Sequence, residues 1–545
     1  MRSWLPVMAL AVAFGGCSPA AGPVRPAKTA RFAILQVNDT YKIEGLENGS
    51  KGGFARLRTL RRQLEGEGRP VLVLHAGDLL FPSVMSKYLK GQPMIRILNL
   101  LDGDAAGFDP HLIATFGNHE FDDRDAGVML GRVAESDFDW VSSNVRYRAA
   151  REAPGRPLSE RLNRVQETVV RELDGVKVGI FGLTTDVAER DYVSYDYADP
   201  KARKAAVQSA LDRLHQAGAQ VIIALTHQDL AEDEKLAAEF PEIDLIAGGH
   251  EHFYISRRVG RTWITKADSD IQSAILYDVR VDRDGTVEAR PRKLDVDSAI
   301  APDPQLQAEV EVWQKRLAET LHKSRLGGGD AVVGRTNTLL EGIETAVRCR
   351  ETALGDFLAD VIRQRMGTEI GLVNGGAIRI NDNIPPGPIT VLDLEGIFYF
   401  DDRLVAYSLT GAELLEMLRN SVSKRHLGDG RFLQVSGLRF RYRNGGSADS
   451  PRYTVDADAV EVRRNGRFEP LDLKRSYTVG SSDFIWKSGY LDGYERFAAA
   501  KGGTSPPRLE QPEADFRQAV EQALAELPDR TVTTAIEGRI KAAGD

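Results

Sequence analysis

What most constrains this chain is a series of short apolar runs between residues 32 and 250. They read FAILQV (32–37), VLVLHA (71–76), LIATF (112–116), VKVGIFGL (176–183), VIIALTH (221–227) and IDLIAGGH (243–250). Rich in Val, Ile and Leu and hardly interrupted by polar residues, such runs predict strands buried on both faces. Between them, Gly53–Gly66 and Ala202–Ala217 have the length and apolar spacing of amphipathic helices. Strand–helix–strand alternation predicts an α/β layered domain over residues 31–298. Near its end, Trp263–Thr265 and Ala274–Val281 read as antiparallel strands closing a second sheet.

The pattern then changes. Pro302 and Pro304 precede Leu306, Val310, Trp313, Leu317 and Leu321, whose spacing predicts one helix over about 303–323, ended by Gly327-Gly328-Gly329. Residues 299–329 are thus expected to link two domains. Residues 330–545 mix helical stretches (Ala353–Met366, Gly411–Lys424) with strand candidates GLRFRYR (437–443) and AVEVRR (459–464), and read as a smaller α+β domain.

The first 20 residues, MRSWLPVMALAVAFGGCSPA, form an address label. A basic start and an apolar run from Leu5 to Phe14, too short to span a bilayer, lead to Gly15-Gly16-Cys17. This resembles a bacterial lipobox, with cleavage before Cys17 and lipid on its thiol; cleavage after Ala20 is the alternative. Residues 18–30 would be a tether, and the protein an exported one, periplasmic or anchored to the cell envelope. The other cysteine, Cys349, reads as an unpaired, small buried hydrophobe. With 71 Lys plus Arg against 79 Asp plus Glu and a net charge of −8, a broad basic surface for bulk nucleic acid is excluded.

The chemistry gathers where the strands end. The segments after the apolar runs are Asn38-Asp39, Gly77-Asp78, Gly117-Asn118-His119-Glu120-Phe121-Asp122, Thr226-His227 and Gly249-His250-Glu251-His252. Open α/β sheets place their sites at the carboxyl ends of strands, so five loops carrying Asp, Asn and His converge. A lone Asp there is more often a helix N-cap and a lone His a satisfied residue; five together are not. Carboxylate, imidazole and amide oxygen without thiolate suit hard or borderline divalent ions. A pair of them would bind phosphate and generate hydroxide at neutral pH.

These segments, in this order, resemble the calcineurin-like metallophosphoesterases and, with the second domain, the 5′-nucleotidase / UDP-sugar hydrolase family. The resemblance implies two divalent ions (Mn, Zn, Co or Fe). It implies that Asp39 and His252 bind the first, Asp78 bridges both, and Asn118, His227 and His250 complete the second. His119 would stabilise the transition state or leaving oxygen, with Asp122 orienting its ring. One position departs from the family: a histidine is usual two residues after the first aspartate, and here Tyr41 stands there. Tyr41 would bind as phenolate, hydrogen-bond a metal-bound water or pack, with Glu44 or water supplying the missing ligand.

In the second domain the resemblance implies substrate contacts from Arg350, Asn374, Gly376 and Arg379. It also implies base stacking by Phe432 and Phe484, with Asp492 in an altered Gly-Tyr-Leu-Asp-Gly-Tyr stretch. Without the family, both phenylalanines would read as core. The expected function is hydrolysis of nucleoside 5′-monophosphates or related nucleotides. The alternatives are nucleotide sugars, 2′,3′-cyclic nucleotides or a sulfur ester on the same metals, or a non-catalytic nucleotide-binding lipoprotein. No P-loop and no Gly-x-Ser-x-Gly elbow is present.

Overall fold

The computed structural model describes residues 29–104, 107–185, 190–195, 199–323, 328–447, 451–494, 505–510 and 514–543. The expected leader and Cys17, with nearly all of the tether, lie outside the described residues. Among those described, no helix is long and apolar enough to cross a membrane.

The apolar runs become the centres of two stacked sheets. The first runs Val287–Asp295, Ser273–Val281, Ala30–Val37, Val71–His75, Leu112–Thr115, Asp139–Val141 and Val165–Gln166. Its last five strands are parallel, with the first two added antiparallel at one edge. The second sheet runs Ile255–Val259, Thr262–Lys266, Leu245–Gly249, Val221–His227, Val176–Thr184 and Thr168–Leu173. Phe32, Ile34, Leu72 and Leu74 from one sheet share a buried core with Val178, Ile180, Ile223 and Leu225 from the other. Helices cover both outer faces: Phe54–Gly66 packs on the first sheet, and Pro200–Gln216 and Leu230–Glu239 pack on the second.

Two expectations are corrected in detail. Thr262–Lys266 runs parallel to Leu245–Gly249 and antiparallel to Ile255–Val259. Ser273–Val281 joins the other sheet, beside Ala30–Val37. The tight turn at Gly260 (φ 57°) makes an unrecognised hairpin that reverses the chain before it re-enters the sheet. The helix Pro304–Lys323 also does more than connect. Leu306, Val310, Trp313, Leu317 and Leu321 are buried in the same core as Phe54, Leu57 and Met94, so its apolar stripe is fixed against the first sheet's helices.

The second half is built on a five-stranded sheet ordered Leu433–Ser436, Ile370–Asn374, Ser476–Ser482, Arg403–Thr410 and Ala514–Asp515. Ala353–Arg365 and Phe516–Glu526 pack on one face, Gly411–Ser423 on the other. A four-stranded sheet, which includes Leu438–Asn444 and Tyr453–Arg464, lies beside it. The protein is thus a two-domain α/β molecule whose layered first domain is followed by a smaller α+β unit.

Candidate active site between the domains

The five strand-end loops meet. Parallel pairing continues past the strands, since Asp39 N–H donates to Gly77 O (3.0 Å) and Thr40 N–H to Asp78 O (2.9 Å). Glycine permits the approach. A Cβ on Gly117 would lie 2.1 Å from Asp78 Oδ1, and Gly77 holds φ 83° beside Gly117 and His227. Glu120, buried inside the Gly-Asn-His-Glu motif, ties the loops together. Its carboxylate accepts from the backbone N–H of Asp78 (2.9 Å), Leu79 (2.7 Å), Leu80 (3.0 Å) and Gly117 (2.5 Å). Burial and then Asp78 push its pKa up to about 7, against the pull of those donors. Glu120 thus has a structural role that its place in the motif alone does not reveal.

The converging atoms form two groups. His252 Nε2 lies 3.2 Å from Asp39 Oδ1. Asn118 Oδ1 lies 3.2 Å from both His227 Nε2 and His250 Nδ1. Asp78 joins the groups, its Oδ2 being 3.2 Å from His227 Nε2. Possible ligand atoms of Asp39, Asp78 and His227, all three buried, lie within 4.8 Å of one another. Two carboxylates at 1% exposure or less, facing imidazoles and an amide oxygen, make a donor set that fits divalent cations. Burial alone would raise the pKa of Asp39; His252 and His227 hold it well below the usual carboxylate range. The same pairing reverses the imidazoles: burial opposes protonation, yet the facing carboxylates raise His227 to about 10 and His252 to about 9.

Tyr41 stands inside this cluster. Its hydroxyl lies 3.2 Å from Asp39 Oδ1, 3.2 Å from Asp78 Oδ2 and 2.9 Å from His252 Nε2. Burial, then Asp78 and Asp39, push the phenol's pKa well above 10. Glu44 keeps Oε2 buried without a hydrogen-bond partner; burial raises its pKa, against the pull of Lys42.

His119 closes the cluster toward the second domain. Its Nδ1 lies 2.9 Å from Asp122 Oδ2, and Arg379 Nη2 lies 3.1 Å from its Nε2. Because arginine only donates, Nε2 carries the lone pair and Nδ1–H donates to Asp122. Arg379 therefore reaches the first domain's cluster from the second domain.

The other second-domain expectations divide. Asn374 is buried, donates to Asp492 Oδ2 (3.2 Å) and leaves its own Oδ1 without a hydrogen-bond partner. Burial, with Asp429 next, raises Asp492 to about 6. Gly376 N–H is taken by Gly430 O (2.9 Å), so that donor is already satisfied within the protein. Arg350 points elsewhere: half exposed, it makes two bonds to Glu341, of 2.9 and 2.8 Å. Phe432 is 0% exposed and sits in the domain core with Leu433 and Val435, so it offers no stacking face. Phe484 packs part-buried against that same core. Cys349 is partly exposed, its thiol bonded to Arg425 O (3.1 Å).

Three residues without an expected role connect to the cluster from the second domain. Arg348, 6% exposed, bonds Glu344 and keeps its Nε without a hydrogen-bond partner. Its spacing of four from Glu344 was the legible signal. Glu344 touches His252 Nδ1 at 2.5 Å. Phe400, 36% exposed, lies with its ring 6.5 Å from that of His119 and 5.5 Å from the Arg379 guanidinium carbon. It belongs to no motif.

A cluster of carboxylates and imidazoles at the strand ends of a layered α/β domain, faced by arginines from a second domain, defines a two-domain hydrolase of the metal-dependent phosphoesterase class. Residues 32–254 match the calcineurin-like phosphoesterase model and residues 332–499 match the 5′-nucleotidase C-terminal domain model. The chain belongs to the 5′-nucleotidase family of calcineurin-like metallophosphoesterases. It is 27% identical to the trifunctional nucleotide phosphoesterase protein YfkN of Bacillus subtilis, over 94% of this chain but only 35% of that protein. It is 24% identical to the snake venom 5′-nucleotidase of Crotalus adamanteus, over 88% of this chain and 84% of that one. The crystal structure of a 5′-nucleotidase precursor from Thermus thermophilus superposes with a TM-score of 0.73 at 26% identity, covering 94% of this chain and 100% of that one.

Proposed function

We propose that this protein is an exported phosphohydrolase that removes phosphate from nucleoside 5′-monophosphates or related nucleotides, using two divalent ions. The observation that carries this reading is the meeting of Arg379 with His119 beside the Asp39–Asp78–His227 cluster. That meeting puts an anion-binding group from one domain next to the metal-ligand donors of the other. Asp39 and His252 would hold the first ion, Asp78 both, and Asn118, His227 and His250 the second. Bound ions would supply an activated water and offset the charge of in-line displacement. Arg379 and Arg348 grip phosphate oxygens with planar donors. His119, its Nδ1–H held by Asp122, would act on the leaving oxygen through Nε2 once that nitrogen is protonated and Arg379 has turned from it to the phosphate. Phe400 offers an aromatic face to the base.

Phosphate release from AMP by protein loaded with Mn²⁺, Zn²⁺ or Co²⁺ tests the reading. Failure on every nucleotide, nucleotide sugar and cyclic nucleotide with each of those ions would sink it. The Bacillus subtilis relative, described as trifunctional, favours a second reading in which one site takes several nucleotide classes. A substrate panel read by phosphate, sulfate and nucleoside release separates that breadth from a strict 5′-nucleotidase. Export rests on Met1–Ala20 and anchoring on Cys17. A Cys17→Ser variant that stays with the membrane fraction would rule out the lipid anchor.

A further inference from the structure

The two groups of donor atoms are held in different ways. Around Asn118, the groups that touch the imidazoles belong to the first domain: His227 Nδ1 lies 2.8 Å from Ala76 O, and His250 Nε2 lies 3.5 Å from Asp229, which the second domain reaches only through an exposed pair with Lys424 at 3.9 Å. On the Asp39–His252 side the supports cross from the second domain. Glu344 Oε2 meets His252 Nδ1 at 2.5 Å, the ring nitrogen opposite the one that faces Asp39. The backbone N–H of Glu344 donates to Asn381 Oδ1 (3.1 Å), and Asn381 Nδ2 donates to Asp270 Oδ2 (2.7 Å). Asp270 Oδ1 in turn accepts from the backbone N–H of Tyr41 (2.8 Å) and Lys42 (3.0 Å), and Asp270 N–H donates to Asp39 O (2.8 Å). Glu344 and Asn381 are 4% and 3% exposed, so these bonds are shielded from water. The other carboxylate oxygen of Glu344 accepts from Arg348 (2.5 Å), and Arg379 Nη1 lies 4.0 Å from it.

We infer that Glu344 is a positioning residue through which the second domain completes the first-ion half of the metal centre, so that affinity there depends on the domains being docked. The inference rests on reading His252 as a metal ligand. A histidine ligand holds its ring by giving its second N–H to a carboxylate, and removing that partner typically weakens metal binding by 10- to 100-fold. Here the partner sits on the other domain and also bonds an arginine assigned to the phosphate. Ion binding, domain docking and phosphate binding therefore share one side chain. By reciprocity, a phosphate-bearing ligand that holds the domains together tightens the ion on this side by the same factor as the ion tightens the ligand.

The test is Mn²⁺ titration of the metal-stripped full chain, by calorimetry and by electron paramagnetic resonance, with AMP absent and present. Wild type, Glu344→Ala, Glu344→Gln and His252→Ala are compared, and each variant's fold is checked by thermal unfolding. Glu344→Ala is expected to weaken one of the two ions by about 10- to 100-fold and leave the other within about twofold. Glu344→Gln, which still accepts from Nδ1–H but lacks the charge, falls between. Small-angle scattering should show the alanine variant with a wider distribution of domain separations. If His252→Ala weakens one ion while Glu344→Ala leaves both unchanged, the inference is wrong and the metal-site reading stands. If His252→Ala changes neither ion, the metal-site reading itself fails. Equal weakening of both ions in Glu344→Ala, with the fold intact, also overturns the inference, since it assigns Glu344 to one side only.

Discussion

On the first-domain wall of the cleft, Asp39, Asp78, His250 and His252 hold φ values of 51, 56, 90 and 62°, while on the second-domain wall Glu344, Arg348 and Arg379 reach in on long side chains. A left-handed backbone costs a non-glycine residue roughly 1–2 kcal/mol. Four such residues at one spot mark a geometry held by the loops themselves. On the second wall Glu344, Arg348 and Arg379 are absent from the left-handed positions, though Asn381, which bonds Glu344 and Asp270, holds φ 39°, so the shape of this wall is set mainly by which side chains point inward. The first wall is therefore expected to tolerate little change in residue type and the second a good deal. The contrast can be tested by comparing how steeply activity falls when each wall is altered.

The largest loss is expected on the first wall. Stripping the ions or making Asp78→Asn removes several kcal/mol of charge stabilisation, about tenfold in rate for each 1.4 kcal/mol, and drops phosphate release by roughly 10³-fold or more. Readdition of Mn²⁺ should restore the stripped wild type and not the variant. Next comes His119→Ala, expected to lower kcat by about 10²–10⁴-fold with little change in KM. Steady-state kinetics on AMP reads both numbers, and a mainly KM effect would remove His119 from the chemical step.

The second wall is sharpened by paired variants. Arg348→Ala should lower kcat/KM by about 10- to 100-fold, the worth of a charged hydrogen bond of about 1.5–3 kcal/mol. Arg350→Ala should stay within about twofold, because it loses only an exposed pair with Glu341. The reverse result would restore Arg350 to the pocket. Phe400→Ala should raise KM for AMP several-fold, the worth of about 0.5–1.5 kcal/mol of stacking, and leave glycerol phosphate unaffected. Phe432→Ala should instead cost about 3–5 kcal/mol of stability, read by denaturant unfolding.

The same contrast explains what could be read in advance. Metal chemistry dictates residue type, and the strand ends dictate place, so Asp39, Asp78, Asn118, His119, His227, His250 and His252 were legible and the layered fold with them. Nothing local separates Phe432 from Phe400. One follows Arg431 and leads into the buried Leu433-Gln434-Val435 strand; the other lies in a loop with no motif. Arg348 and Arg350 differ by two positions, and only the short helix Glu344–Val347, which sets Arg348 back toward Glu344, decides which one turns inward. The tie of Glu344 to His252 had no signal, since the two lie 92 residues apart in different domains.

The smallest effect concerns the residue that breaks the family pattern within the wall that otherwise keeps it. Tyr41 carries its hydroxyl to 3.2 Å from two carboxylates. A phenol there donates one hydrogen bond and, held protonated by burial and by Asp78 and Asp39, offers an ion a far poorer ligand than imidazole. Tyr41→Phe removes one hydrogen bond, worth about 0.5–1.5 kcal/mol, so first-ion affinity should fall by no more than about tenfold. Tyr41→His should raise it, because a nitrogen donor then faces the same carboxylates. Both are read by Mn²⁺ titration of the stripped protein. Complete loss of one ion in Tyr41→Phe would mean that the phenol is an obligatory ligand. The first wall would then have changed a ligand without losing its site, and the claim that it tolerates little change in residue type would fail at its centre.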